Sequence, residues 1–173
     1  MIWIILAILL AVCSLWMCIR PYIPPTLPAY AALWVLRSSG EIVAPDSLMM
    51  SWGIAVIILL IIDYIQPRAI SKATNGTAYF TVGAVTGAVA GLTAMSHTAI
   101  VAGAAIGVVL GGLAYSRTAS GRILAFPSVR FFQYLCAKGF PAIVALSIIG
   151  VGALLWIIRH YPAFALENMT TLR

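Results

Sequence analysis

The sequence predicts an all-α integral membrane protein of about five transmembrane helices plus one Pro-rich re-entrant segment, organised around a central glycine-ladder helical hairpin. Three observations lead there. The 173 residues are 63 % hydrophobic and only 8 % charged, where a soluble domain carries roughly 25 % charged residues to stay dispersed. Apolar runs of membrane-spanning length recur along the chain, and the mean hydropathy is +1.08. Inside two of those runs lie Gly83-Ala-Val-Thr-Gly87-Ala-Val-Ala-Gly91 and Gly103-Ala-Ala-Ile-Gly107-Val-Val-Leu-Gly111. Spacing four places each set of three glycines on one helix face, where another backbone can approach closely.

The first span is residues 1–19, just long enough at 1.5 Å per residue to cross the hydrocarbon core. It is apolar from its first residue and lacks the basic n-region of a secretory signal, so it reads as a retained helix. Arg20 ends it. Pro21, Pro24, Pro25 and Pro28 then crowd the first half of an apolar stretch that closes at Arg37. A lipid-facing helix cannot lose that many backbone hydrogen bonds. Residues 21–36 are therefore expected to form a re-entrant segment shielded by other helices, with 29–36 as its helical arm. Pro45-Asp46-Ser47 reads as a turn and helix start, followed by a span over 48–65 that ends on Asp63-Tyr64. A basic loop with an Asn75-Gly76 turn leads into the ladder hairpin, 78–94 and 99–115. Its glycines mirror each other about His97, which pairs Gly91 with Gly103, Gly87 with Gly107 and Gly83 with Gly111. Residues 122–138 interleave Arg122, Arg130 and Lys138 with Phe126, Phe131, Phe132 and Tyr134, and are expected to lie in the membrane interface. The last span is 139–158, stopped by Arg159-His160-Tyr161-Pro162.

The net charge of +6 does not point to nucleic acid, because the cations among the aromatics of 122–138 spread around the helix rather than forming one basic stripe. The cations gather in loops, as membrane orientation signals do. With residues 21–36 re-entrant, Arg68, Lys72, Arg117, Arg122, Arg130 and Lys138 share one side. Arg20, Arg37, Arg159 and Arg173, diluted by Glu41, Asp46 and Glu167, share the other. The first side is then cytoplasmic, with the N-terminus in and the C-terminus out. If 20–37 spans instead, the count becomes six and the termini share a side.

Few residues offer chemistry. Gly83, Gly87, Gly91, Gly103, Gly107 and Gly111 are expected to be a helix-packing surface, within the hairpin or against another subunit. Arg20 and Arg37 bracket the proline segment, and with Pro24, Pro25 and Pro28 they form a candidate contact for a lipid or substrate. Asp63 joins that set as the one acid near a span interior, though so close to the helix end an interfacial partnership with Arg68 or a loop backbone suffices. His97 reads as a turn residue and His160 as a helix-end cation. Cys13, Cys18 and Cys136 have neither disulfide nor metal-ligand spacing. No catalytic triad, metalloprotease helix, intramembrane charge pair or phosphate-cradling loop can be assembled, so no catalytic residue, cofactor or metal is expected.

The order of these features resembles one bacterial family. It runs from an N-terminal span to Ile23-Pro24-Pro25-Thr26-Leu27-Pro28, then a span ending in Asp63-Tyr64, a short basic loop and paired glycine ladders. Over roughly residues 10 to 158 it is similar to the family catalogued as domain of unknown function 456. The chain departs from that family at Pro28-Ala29, where a glycine is usual, and at Gly112-Leu113-Ala114, where an acidic residue follows the second ladder. The resemblance implies a small bacterial inner-membrane protein and brings no activity with it.

The expected function is non-enzymatic: a structural or accessory subunit acting through close helix packing, whose partners are membrane lipids and another membrane protein or a second copy of itself. The competing class is a small transporter, channel or lipid-carrier flippase that uses the Pro-rich segment.

Overall fold

In the computed structural model, described for residues 2–20, 24–65, 76–122 and 126–162, the chain is helical and without strands among the described residues. Six helices follow in order: α1 (Ile2–Ile19), α2 (Thr26–Ser38), α3 (Asp46–Ile65), α4 (Thr77–Thr93), α5 (His97–Ser116) and α6 (Val129–His160). Of these, α1, α3, α5 and α6 are long and apolar enough to cross a membrane, and α4, at 17 residues, is a shorter apolar helix.

The α4–α5 hairpin is the most intimate contact in the molecule. A Cβ placed on Gly87 would lie 2.6 Å from the carbonyl carbon of Gly103, and one on Gly107 would lie 2.7 Å from that of Gly83. Gly83, Gly91, Gly103 and Gly111 would meet the carbonyls of Gly107, Ala99, Gly87 and Tyr79 in the same way. All six glycines of the two ladders thus face the partner helix of the same chain, and the carbonyls of one backbone lie against the Cα atoms of the other. At this range Cα–H···O=C contacts and dispersion hold the helices together.

The register differs from the one the mirrored spacing suggests. Gly87 meets Gly103 and Gly83 meets Gly107, so the hairpin reflects about Met95, one helical turn away from the expected pairing. The reason is local. Met95 takes a left-handed conformation, φ 49°, and reverses the chain at once. Ser96 is extended, φ −129°, and His97 already belongs to α5.

The long helix α6 lies across this hairpin. Gly150 makes room for Ile100 and Gly139 for Val108, while Gly112 of α5 lies beneath the rings of Phe80 and Phe131. Ile100, Ala104, Val108, Ala145, Ile148 and Val151 are fully buried there. Residues 129–138 therefore do not form the separate interfacial segment expected over 122–138 (123–125 lie outside the described residues). Ser128 is extended and its Oγ accepts from the N–H of Phe131 at 3.1 Å, an N-cap that starts the helix ten residues early. A π-helical turn, Leu135–Gly139, joins this start to the rest of α6 without a break.

On the other side, α2 returns along α1. Ser14 Oγ donates to the Pro25 carbonyl at 2.8 Å, which places the start of α2 more than a turn below the end of α1. Pro28 occupies the first turn of α2, where an N–H has no intrahelical partner to lose. With 13 residues, α2 is about 20 Å long, against roughly 30 Å of hydrocarbon. It nevertheless reaches the opposite end of the bundle, where Leu36 lies level with Ile4 and Trp156 on the wall of one cleft.

This return decides which helix ends lie together. Thr77 Oγ1 donates to the Ile19 carbonyl at 2.8 Å, so the end of α1 and the start of α4 are together. At the other end His160 approaches Glu41, Nε2 to Oε2 3.4 Å, beside the start of α1. The described ends of the chain, Ile2 and Pro162, thus lie at one end of the bundle. In the expectation residues 21–36 make no crossing; here α2 runs the length of the bundle between α1 and α3.

Substituting Gly87 or Gly107 by Ala should lower the SDS concentration at which the hairpin unfolds, at a cost of about 1–3 kcal/mol for forcing the backbones apart. Ala90→Leu and Ala102→Leu, on exposed faces, are the proper controls, because Ala88 is buried at 7 % exposure and is itself part of the core. Equal losses in glycine and control variants would refute the packing described here.

Candidate functional site

Two places in the fold gather features that the packing alone does not require. The first is a buried cation. Lys138 is only 8 % exposed and sits in the π-helical turn of α6. An electrostatic interaction links it to Asp63, two residues before the end of α3. Spacing alone suggested Arg68, which lies outside the described residues, as the partner of Asp63. Among the described residues the charge of Asp63 also acts on Lys138 of α6, an interaction between two helices that spacing alone does not suggest. A ring contact joins this region to the hairpin, Phe80 meeting Tyr134 at 5.6 Å between centroids. π-turns inside α-helices recur at functional positions because the extra residue re-aims the side chains of its turn. Nothing in the sequence marks that turn, so Lys138 looked like one more loop cation.

The second is an apolar cleft of about 270 Å³ where α1, α2 and α6 meet. Small residues on three helices leave the space: Ala7 and Ala11, Ala29 and Ala32, Gly152 and Ala153. Trp156 closes one end. Its ring stacks on His160 with centroids 4.6 Å apart, and its buried indole Nε1 has no hydrogen-bond partner among the described residues. The His160 ring has acceptors on both sides, the Trp156 carbonyl 3.0 Å from Nδ1 and Glu41 beyond Nε2. The signal in the sequence was the spacing of Ala7 and Ala11 (i, i+4) and of Ala29 and Ala32 (i, i+3), with the adjacent Gly152-Ala153 in α6, each too short a pattern to single out.

The residues proposed from sequence to contact a lipid or substrate are not assembled as one site. Arg20 is exposed and lies over the Trp16 ring, 5.7 Å from its centroid. Arg37 pairs with Asp46 and lies over Trp34, also at 5.7 Å. They stand at opposite ends of the bundle, roughly 25 Å apart along α1, because α2 runs between them. One phosphate group cannot be gripped by both. Pro24 and Pro28 are half-buried, and Pro25 is buried with its carbonyl held by Ser14. Asp63 belongs with Lys138. The ladder glycines are engaged inside the hairpin. His97 is exposed at the start of α5. Cys13, Cys18 and Cys136 are free thiols, and no group of three metal-ligating side chains occurs among the described residues.

At one end of α3 Asp46 pairs with Arg37, and near the other the charge of Asp63 acts on Lys138. Asp46 is 83 % exposed, where an ion pair contributes about 1 kcal/mol or less. Lys138 is buried, where a nearby charge is screened less than at the surface. No family model, curated protein or solved structure matches the chain.

Asp63→Asn or Lys138→Met alone should therefore destabilise by about 2–4 kcal/mol in SDS-titrated unfolding, and the double variant by clearly less than the sum. Arg37→Ala should stay within about 1 kcal/mol of the parent. Additive losses at 63 and 138 would show that the two groups do not act on each other.

Proposed function

We propose that this protein is a non-enzymatic small membrane protein of the bacterial inner membrane that works as a structural or accessory subunit, packing against a second membrane protein or another copy of itself. The observation that carries this reading is the outer face of α3. This 20-residue helix buries only Met49, Val56 and Leu59 and is tied to its own chain chiefly near its ends. Between those ties Met50, Ile54, Ile57 and Ile61 are all more than half exposed. Their spacing of four, three and four forms one continuous stripe, the pattern by which helices seat side chains into a neighbour. The ladders support the reading indirectly. Being closed within the chain, they make a rigid post on which such a face is held. The resemblance to the family of unknown function is the support for a bacterial inner membrane.

In this reading α1, α3, α4, α5 and α6 cross the bilayer as full spans, and α2, a shorter shielded arm beyond the prolines, carries the chain back between α1 and α3. Arg20, Arg117, Arg122 and Arg130 are exposed at one end of the bundle, and Arg37 and Arg159 at the other accompany Glu41 and Asp46. The excess of arginine puts the first end in the cytoplasm, and the described ends of the chain outside. The transporter or lipid-carrier class is favoured by one observation, that the arm beyond the prolines forms a wall of the apolar cleft.

A photo-crosslinking amino acid at Ile57 or Ile61, activated in native membranes, should give a protein adduct of one discrete mass, and the same group at Ile106 of α5 should not. Lipid adducts alone at every position would overturn the subunit reading. For orientation, Ser47→Cys should react with an impermeant maleimide from outside the cell, and Ser120→Cys only after permeabilisation; both serines are exposed. The reverse pattern would invert the assignment.

A further inference from the structure

We infer that the cleft between α1, α2 and α6 is a binding site for one acyl chain of a glycerolipid, with an ester carbonyl of that lipid accepting a hydrogen bond from the Trp156 indole. The site does not depend on the subunit reading. Four observations converge on this occupant. The cleft, at about 270 Å³, exceeds the 150 Å³ apolar cavity that suffices to hold benzene, so it takes a longer apolar group. Its wall runs from Ile4 to Ala11 along α1 and from Leu36 to Ala29 along α2, about 10 Å of helix, which suits an extended chain better than a compact ring. Its lining is aliphatic except at the Trp156 end, so an occupant carries its polar part there. At that end the Trp156 Nε1 is buried and lacks an acceptor, a state that costs free energy unless something supplies one.

Depth selects the chemistry of the acceptor. Trp156 lies four residues before the end of α6, about 6 Å along the axis, which is where tryptophans sit at the boundary of hydrocarbon and headgroups. The ester carbonyls of a glycerolipid lie at that boundary, with the alkyl chain below and the headgroup above. Above Trp156 the bundle end carries His160 and Glu41 in mutual contact, and Arg37 paired with Asp46, a polar surface for the headgroup. A free hydrocarbon would fill the cleft and leave the indole unsatisfied. A glycerolipid does both.

Photolabelling tests this, with phosphatidylglycerol carrying a diazirine in its acyl chain, in phosphatidylcholine vesicles that hold the full-length protein. Adducts should concentrate on α2 and α6 at residues 29–36 and 148–153, and unlabelled phosphatidylglycerol should compete for them. Gly152→Leu fills the cleft from α6, where even the first carbon already meets Leu33 at 3.5 Å. It should abolish the competable adducts. Ala11→Leu fills the cleft from α1 and gives the same reading should the first variant fail to fold. Trp156→Phe keeps an aromatic wall without the N–H and should weaken competition roughly three- to tenfold, the worth of one hydrogen bond. A non-esterified alkane should compete poorly with the parent protein and equally well with Trp156→Phe. Adducts spread evenly over every lipid-facing helix, or competition unchanged by both filling variants, would overturn the proposal. Loss on filling without any effect of Trp156→Phe would overturn the role of the ester.

Discussion

Backbone-to-backbone approach between α4 and α5 is the constraint on which the rest of the bundle depends. In a bilayer, hydrocarbon around a helix is as apolar as the helix itself, so the hydrophobic effect does not press two spans together. What remains is dispersion and weak hydrogen bonding, and both fall steeply with distance. Removing side chains from both facing stripes is the way to gain them. Gly83, Gly87 and Gly91 on one helix meet the carbonyls of Gly107, Gly103 and Ala99 on the other, each backbone filling the groove that the other leaves. The hairpin is then a single stiff unit. Its side chains pack outward, and α6 settles on them with Gly139 and Gly150 receiving Val108 and Ile100.

From α6 outward the attachments become more polar and fewer. α2 leans on α6 near Gly152 and Leu33, and α1 is fixed to α2 through Ser14 and the Pro25 carbonyl. The helix furthest from the hairpin, α3, is anchored by Asp46 and Asp63 near its ends, with Tyr30 donating to the Met49 carbonyl at 3.1 Å between them. The molecule is thus graded, from a half closed by van der Waals contact to a half held by a few directional links. A charge pair holds a helix in position without covering its face, so α3 combines a fixed place with a free surface.

The parts of this plan legible in the sequence are those that a helix face determines. Spacing four fixes which side of α4 and α5 carries glycine, whatever the two helices do next. Register was not legible, because it rests on the left-handed backbone of Met95, a residue with no particular liking for that conformation. The course of the proline segment was legible only in part. Pro28 sits in the first turn of α2, where it costs nothing, and the helix runs on to Ser38, far enough to reach the other end of the bundle. Lys138 escaped notice because a π-turn is a property of packing: its sequence, Leu135-Cys-Ala-Lys-Gly139, does not announce one.

The same device, small side chains on facing helices, produces opposite outcomes in the two halves. Where two helices meet along glycine on both sides, the backbones close completely. Where α1, α2 and α6 meet, alanine methyls on each helix stop the approach earlier, and three cylinders that touch pairwise leave a channel along their common axis. The resulting cleft of about 270 Å³ is open on one side, so it does not carry the cost of a sealed core cavity of that volume. Trp156 stands at one end of it, its ring stacked on His160, which is in contact with Glu41 in the α2–α3 connection. An open apolar cleft of this length is shaped for an alkyl chain, so the proposed lipid contact and the looser packing of this half have one cause, the alanine methyls that keep the facing helices apart.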